Sequence, residues 1–177
     1  MIMYDVVALG ELLIDFTTQA TDPDGYPTMA AHPGGAPANF LAAIAKFGGK
    51  AALLGKVGTD TFGKLLTDTL RKAGIETKGL VASDEFFTTL AFVTLDENGD
   101  REFAFARKPG ADTQLRFDEL DLSIIDETRV FHFGTLSLTD EPARSTTYRT
   151  VKYAKAHGKL ITFDPNCLLY TSPSPRD

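Results

Sequence analysis

One cysteine in 177 residues, Cys167, leaves no intramolecular disulfide framework and no cysteine-based zinc site. Long apolar runs are missing as well. Val6-Val7-Ala8-Leu9 is one such short run, and none approaches the length of a membrane span. Basic excess is absent: 18 Lys and Arg stand against 24 Asp and Glu, a formal charge of -6, which argues against a nucleic-acid surface. The stretch from Met1 to Asp15 has three acidic residues and no basic one, unlike a secretory signal. A cytoplasmic protein is the expectation, with no nucleic-acid or membrane partner.

Two nucleotide motifs are also missing. A Walker-type phosphate loop needs Gly, four residues and Gly-Lys-Ser/Thr; Gly55-Lys56 is followed by Val57, and Lys50 stands where the first Gly belongs. A dinucleotide fingerprint needs Gly-x-Gly-x-x-Gly, but Gly10 is followed by Glu11 and Leu12. The three histidines lack helical pair spacing, which disfavours a metal site; His132 reads as a half-buried strand residue.

What is present is ordinary globular composition, 43% hydrophobic and 24% charged. A chain of this size buries about 70% of its unfolded surface, enough for one core. Residues 4–9 form a short β-prone run ending at Gly10, and Leu12-Leu13-Ile14 extends it to Asp15. Pro, Gly, Asp and Thr crowd residues 19–35, which predicts loop or irregular edge structure. A helix is expected from about Pro37, with Phe40, Leu41, Ile44, Ala45 and Phe47 at helical spacing and Gly48-Gly49 as its stop. Ala51 to Leu54 is the next strand. Thr59 or Asp60 caps a second helix whose face carries Phe62, Leu65, Leu66, Thr69, Leu70 and Ala73. This alternation implies a parallel sheet covered by helices.

Thr88 to Leu95 and Arg101 to Ala106 then read as a hairpin turning at Asn98-Gly99. Arg129 to Phe133 and Lys159 to Phe163 return to parallel-type strands, with a helix over 141–156 between them. From Cys167 the periodicity is lost, and Thr171 to Asp177 reads as unstructured.

Pro33-Gly34-Gly35-Ala36-Pro37-Ala38-Asn39 is the most informative segment. Glycines before a helix allow close approach to the backbone, and the helix start offers free N–H groups. Asn39 adds a donor and an acceptor, a set suited to polyol hydroxyls, although a plain turn with a helix cap accounts for the same residues. Asp15 ends an apolar run at the strand edge where open α/β sheets gather ligands, and a carboxylate accepts from two adjacent hydroxyls; a solvated strand end is the alternative. Arg107 follows the hairpin and either reaches a sugar oxygen or phosphate or is solvated there. Asp164-Pro165-Asn166 closes the last strand, lining the same crevice or simply turning.

Taken together these segments resemble the ribokinase-like (PfkB) family of carbohydrate kinases, and within it the fructokinases. The resemblance rests on Ala8 to Phe16, Pro33 to Asn39, Gly55 to Gly63, Thr89 to Val93 with Arg101 to Arg107, and Phe163 to Asn166. It implies a Rossmann-type three-layer α/β sandwich with a small β-sheet lid, drawn from about 16–33 and 86–106, over a sugar. It implies phosphoryl transfer from ATP, with Mg²⁺, to a sugar hydroxyl, most simply of fructose, and a possible homodimer through the lid. Asp15, Gly34, Gly35 and Asn39 align with sugar-binding positions, Arg107 with a lid residue that contacts the sugar, and Asp164 and Asn166 with a motif lining the site. Ribokinases, ketodeoxygluconate kinases and nucleoside kinases share the Gly-Gly and Asn features, so the substrate stays open, as does a non-catalytic sugar-binding module.

The resemblance covers residues 4–166, and Leu168 stands where the family usually has Arg. Family members are about twice as long, and the Gly-Ala-Gly-Asp segment that carries their catalytic base has no counterpart in this sequence. The expectation is therefore a truncated kinase domain over 1–166 and a non-native-looking tail over 167–177. Such a chain has no catalytic residue of its own and binds ATP and Mg²⁺ poorly.

Overall fold

The computed structural model describes residues 3–95 and 101–166. Among the described residues, ten strands and four α-helices are arranged around two sheets. The central sheet runs in the order β10 (Leu160–Asp164), β9 (Thr128–Gly134), β1 (Tyr4–Leu9), β4 (Ala51–Gly58) and β5 (Ile75–Glu76), and β6 (Leu80–Ser83) pairs with the far end of β4. All of these pairings are parallel, as the alternation of strands and helices requires.

β1 shows why this is a three-layer fold. Its side chains alternate in direction, and both faces are apolar. Val6 and Ala8 enter one core with Leu53, Leu41 of α1 (Ala36–Lys46) and Leu66 and Leu70 of α2 (Thr61–Lys72). Val7 and Leu9 enter the other with Leu54, Phe131, Ile124 and Ile125 of the short α3 (Ser123–Asp126), and Ala154 of α4 (Ala143–Ala156). Leu9 is 1% exposed and Val7 wholly buried. Each such side chain contributes about 1.5–3 kcal/mol.

The helix ends follow the sequence. Pro37 lies in the first turn of α1. Asp60, of the two residues expected to cap, caps α2: its Oδ1 accepts from the amides of Phe62 at 2.9 Å and Gly63 at 3.0 Å. Two apolar residues leave the faces their spacing assigns. Phe47 falls at the C-cap of α1 and is 88% exposed, and Leu65 of α2 is 41% exposed. Helical spacing holds only while the chain is helical, and α1 ends at Lys46.

The second sheet has the order β3 (Pro27–Gly34), β2 (Leu13–Thr21), β7 (Leu90–Leu95) and β8 (Arg101–Ala106). The antiparallel β7–β8 pair is the expected hairpin; its Asn98-Gly99 turn lies outside the described residues. Residues 19–35 hold an irregularly paired edge strand, one of the two expectations, and correct the other, a loop. β2 continues to Thr21, a short turn follows, and Pro27 to Gly34 return as an antiparallel strand. Proline misled because β3 is an edge strand, where a missing N–H costs no ladder bond. Similarly, Leu13 and Ile14 do not prolong β1. The chain breaks at Gly10 and carries them into the second sheet, where Phe16 stacks on Phe92 at 5.3 Å and meets Phe62 of α2 edge-on at 5.6 Å.

No helix among the described residues is long and apolar enough to cross a membrane.

Candidate sugar site

The chain passes from the C-terminal end of β1 into β2 of the second sheet, which carries Asp15; Asp15 meets Gly34, and Gly34 and Asn39 border one crevice. Register sets their directions. In the second sheet His32, Asp15, Ala91 and Phe105 form one row across β3, β2, β7 and β8. Thr17, Val93 and Phe103 share that face with Ala30 in the next row. The opposite face carries Ile14, Phe16 and Phe92 toward α2. A carboxylate therefore shares a sheet face with two half-exposed aromatic rings, Phe103 at 47% and Phe105 at 43% exposure.

Asp15 is half-buried, and none of the described residues donates a hydrogen bond to its carboxylate. Burial raises its pKa above the ordinary carboxylate range, while His32 pulls it down. Its Oδ2 fills the space that a Cβ on Gly34 would need, so a side chain at residue 34 would displace this carboxylate. Gly35 is constrained from the other side. Its φ of 116° is unfavourable for any side chain, and a Cβ there would collide with the carbonyl oxygen of Glu11. Asn39 sits in the first turn of α1, exposed, with its amide N–H on the Gly35 carbonyl at 3.0 Å. Gly34 and Asn39 border one narrow crevice of about 60 Å³ with Leu12, Leu66 and Leu70.

Arg107 is not solvated at the hairpin end, one of the two readings its position allowed. Its side chain is 8% exposed. Nε donates to Asp112 Oδ2 at 2.9 Å, one terminal nitrogen to Thr139 Oγ1 at 2.7 Å, and the other to the Leu136 carbonyl at 2.9 Å. Asp112 is buried too and also accepts from Thr89 Oγ1. A buried carboxylate must be paired, and the planar five-donor guanidinium does this while tying the end of β8 to the segment after β9.

Asp164 and Asn166 are brought to the same C-terminal edge, two strands from β1. Asp164 Oδ1 accepts the Asn166 amide at 2.8 Å, and Asn166 adopts a φ of 47°. Asparagine tolerates that left-handed turn. No hydrogen bond among the described residues joins this pair to Asp15. His132 lies between, buried in β9, with Nδ1 3.0 Å from Thr162 Oγ1 and its ring against Phe40. Burial lowers its pKa, against the pull of Asp164.

Glu11 is a residue that motif spacing did not single out. It is 3% exposed, and its Oε1 accepts the Ala36 amide at 2.9 Å. Only its place between Gly10 and an apolar run signals it, as a charge in a stretch otherwise destined for burial.

This arrangement suits a neutral, hydroxyl-rich ligand. It offers an acceptor with no donor among the described residues, a helix start preceded by two buried glycines, and an aromatic wall. A nucleotide–metal site does not fit these residues. The sequence has no Gly-Ala-Gly-Asp segment, and no three His, Cys, Asp or Glu side chains converge among the described residues.

Known proteins resemble this chain over nearly its whole length. The model of the "pfkB family carbohydrate kinase" matches residues 3–177, a span that includes the residues after Asn166. A probable fructokinase-3 of Arabidopsis thaliana is 44% identical over 174 residues, 97% of this chain and 50% of that protein. The crystal structure of fructokinase from Xylella fastidiosa superposes with a TM-score of 0.88 at 33% identity, covering 98% of this chain and 54% of that one. A putative ribokinase II of E. coli in complex with ATP and Mg²⁺ gives 0.83 at 29% identity, covering 93% of this chain and 53% of that one. The chain thus spans about half the length of the curated relatives it matches.

Proposed function

Since the chain belongs to the pfkB family of carbohydrate kinases, we propose that it carries the sugar-binding half of a fructokinase-type enzyme and is inactive in phosphoryl transfer by itself. The observation that carries this reading is the apposition of the Asp15 carboxylate to the Gly34 backbone, on the sheet face shared with Phe105. Asp15 accepts from two adjacent hydroxyls of the sugar, and charge-assisted bonds of that kind are the strong ones. Gly34 and Gly35 let the ring approach the backbone, Asn39 adds a donor and an acceptor, and the Phe103–Phe105 face covers its apolar side. The second sheet acts as the lid. Asp164 and Asn166 border the site from the far strands, while Arg107 holds the lid strand in place.

Fructose is preferred among sugars because the similar proteins named above include fructokinases. The family reaction transfers a phosphoryl group from ATP, a step that depends on positioning and on electrostatic stabilisation of the moving charge. These residues position the acceptor and exclude water from one side of it; groups that stabilise the moving charge are not among them.

Two assays test this. Titration calorimetry with fructose detects binding by the folded chain, and absence of heat from a cooperatively folding sample contradicts the sugar-site reading. A coupled assay with fructose, ATP and Mg²⁺ gives no turnover above the enzyme-free blank, and any reproducible excess contradicts the claim of inactivity.

A further inference from the structure

Glu11 holds the glycine turn from two directions. Its carbonyl oxygen fills the space a Cβ on residue 35 would occupy, and its side-chain Oε1 accepts the Ala36 amide. Gly35 is the N-cap position of α1 and has no side chain with which to cap it. Glu11 therefore supplies the missing cap from 25 residues earlier in the chain.

The second carboxyl oxygen is the anomaly. Oε2 is buried and has no hydrogen-bond partner among the described residues. The charged groups facing the carboxyl are Asp112 and Arg107, and Arg107 is already committed to Asp112. Burial pushes the Glu11 pKa from the ordinary 4.5 to about 7. The Ala36 amide and Arg107 act against that rise, and Asp112 adds to it.

We propose that Glu11 is the positioning residue of the Gly34–Gly35 turn and works as a neutral carboxylic acid, with Oε1 accepting the Ala36 amide and the proton on Oε2. This rests on the reading that Gly34, Gly35 and Asn39 face the sugar. A carboxylate would leave a buried charged oxygen without a donor, and Asp112 would repel it. Neutrality also matters to a ligand. An ionised cap cancels the partial positive charge at the start of α1, whereas a neutral one satisfies the amide and leaves that field for sugar oxygens.

The test uses the 177-residue chain as wild type, Glu11→Gln and Glu11→Ala. NMR follows the Glu11 carboxyl carbon through a pH titration, amide exchange at Ala36 is measured in all three, and fructose binding is measured by calorimetry. The wild-type carboxyl titrates near neutrality. Glu11→Gln, a neutral isostere, keeps Ala36 protection and sugar affinity near the wild-type values. Glu11→Ala loses about tenfold in Ala36 protection, the size of a lost cap, and weakens sugar binding while amides of β1 and β4 stay protected.

A carboxyl midpoint at the ordinary glutamate value overturns the neutral acid, and so does a Gln variant as damaged as the Ala variant. Unchanged Ala36 protection in Glu11→Ala overturns the positioning role. If Glu11→Ala does not fold, the titration and the Gln variant still decide. If the wild type binds no fructose, the sugar reading fails, and the titration and exchange data still judge Glu11.

Discussion

The Asp15 carboxylate stands where a side chain on residue 34 would have to be: a Cβ on Gly34 would lie 2.7 Å from Asp15 Cγ. The two residues are neighbours across antiparallel strands, Gly34 pairing with Leu13 and Asp15 with His32. A half-buried acceptor with no donor among the described residues is thereby pressed against the Gly34 backbone. That arrangement costs stability in the free protein and is useful only to a ligand that brings donors.

Asp15→Asn is therefore expected to fold with stability at neutral pH equal to or above that of the wild type, because it removes a charge whose pKa burial has raised. The same change weakens fructose binding by about tenfold to a hundredfold, through loss of charge-assisted bonds. Thermal unfolding and calorimetry on the two proteins check both halves. A clear loss of stability with unchanged affinity would mean that Asp15 is structural.

Arg107→Ala acts oppositely. It leaves Asp112 buried without its cation and costs about 3–5 kcal/mol of folding free energy. Arg107→Lys recovers only part, since one ammonium cannot reach Asp112, Thr139 and the Leu136 carbonyl together. Denaturant unfolding measures this, and a midpoint like the wild type's for Arg107→Ala would refute the anchoring role.

Stability falls between pH 4.5 and about 7 on account of Glu11. The folded state keeps the proton that the unfolded chain has released in this window, so raising the pH favours unfolding. The displacement from 4.5 to about 7 corresponds to about 3 kcal/mol, complete above neutrality. Glu11→Gln removes this slope. Unfolding curves across the window decide, and identical slopes in the two proteins would count against a raised pKa.

Asp60 behaves in the reverse sense. Burial alone would raise its pKa, but the amides of Thr88, Gly63 and Phe62 outweigh it and hold the carboxyl below its usual range. Its contribution is present above the ordinary value of 3.8 and is lost as pH falls through the lower folded value. Asp60→Ala costs about 2 kcal/mol, for a lost helix cap and a stranded Thr88 amide. A stability change close to zero would show that other groups satisfy those amides.

In the central sheet β1, β4, β9 and β10 were legible in the sequence because each is a short apolar run closed by Gly or a polar turn; β5 and β6 were not, being only two and four residues long. Asp60 and Pro37 marked the helix starts. The second sheet was half legible: the β7–β8 pair has strong β propensity, whereas β3 carries Pro27, His32 and Pro33, tolerated only because it is an edge. Asp15, Gly34, Gly35 and Asn39 stood out as candidates through the resemblance, although a glycine pair before a helix serves a plain turn equally well. The partners of Arg107 were not legible because spacing cannot tell a guanidinium facing solvent from one paired with Asp112. Glu11 was missed for a similar reason. Its role lies in an amide 25 residues away, a relation that no local pattern encodes.

The most direct test of the account is titration of fructose into the folded chain, with Asp15→Asn measured alongside. The account predicts saturable binding by the wild type and at least about tenfold weaker binding by the variant. Equal binding by the two, or none by a wild type that unfolds cooperatively, would contradict it.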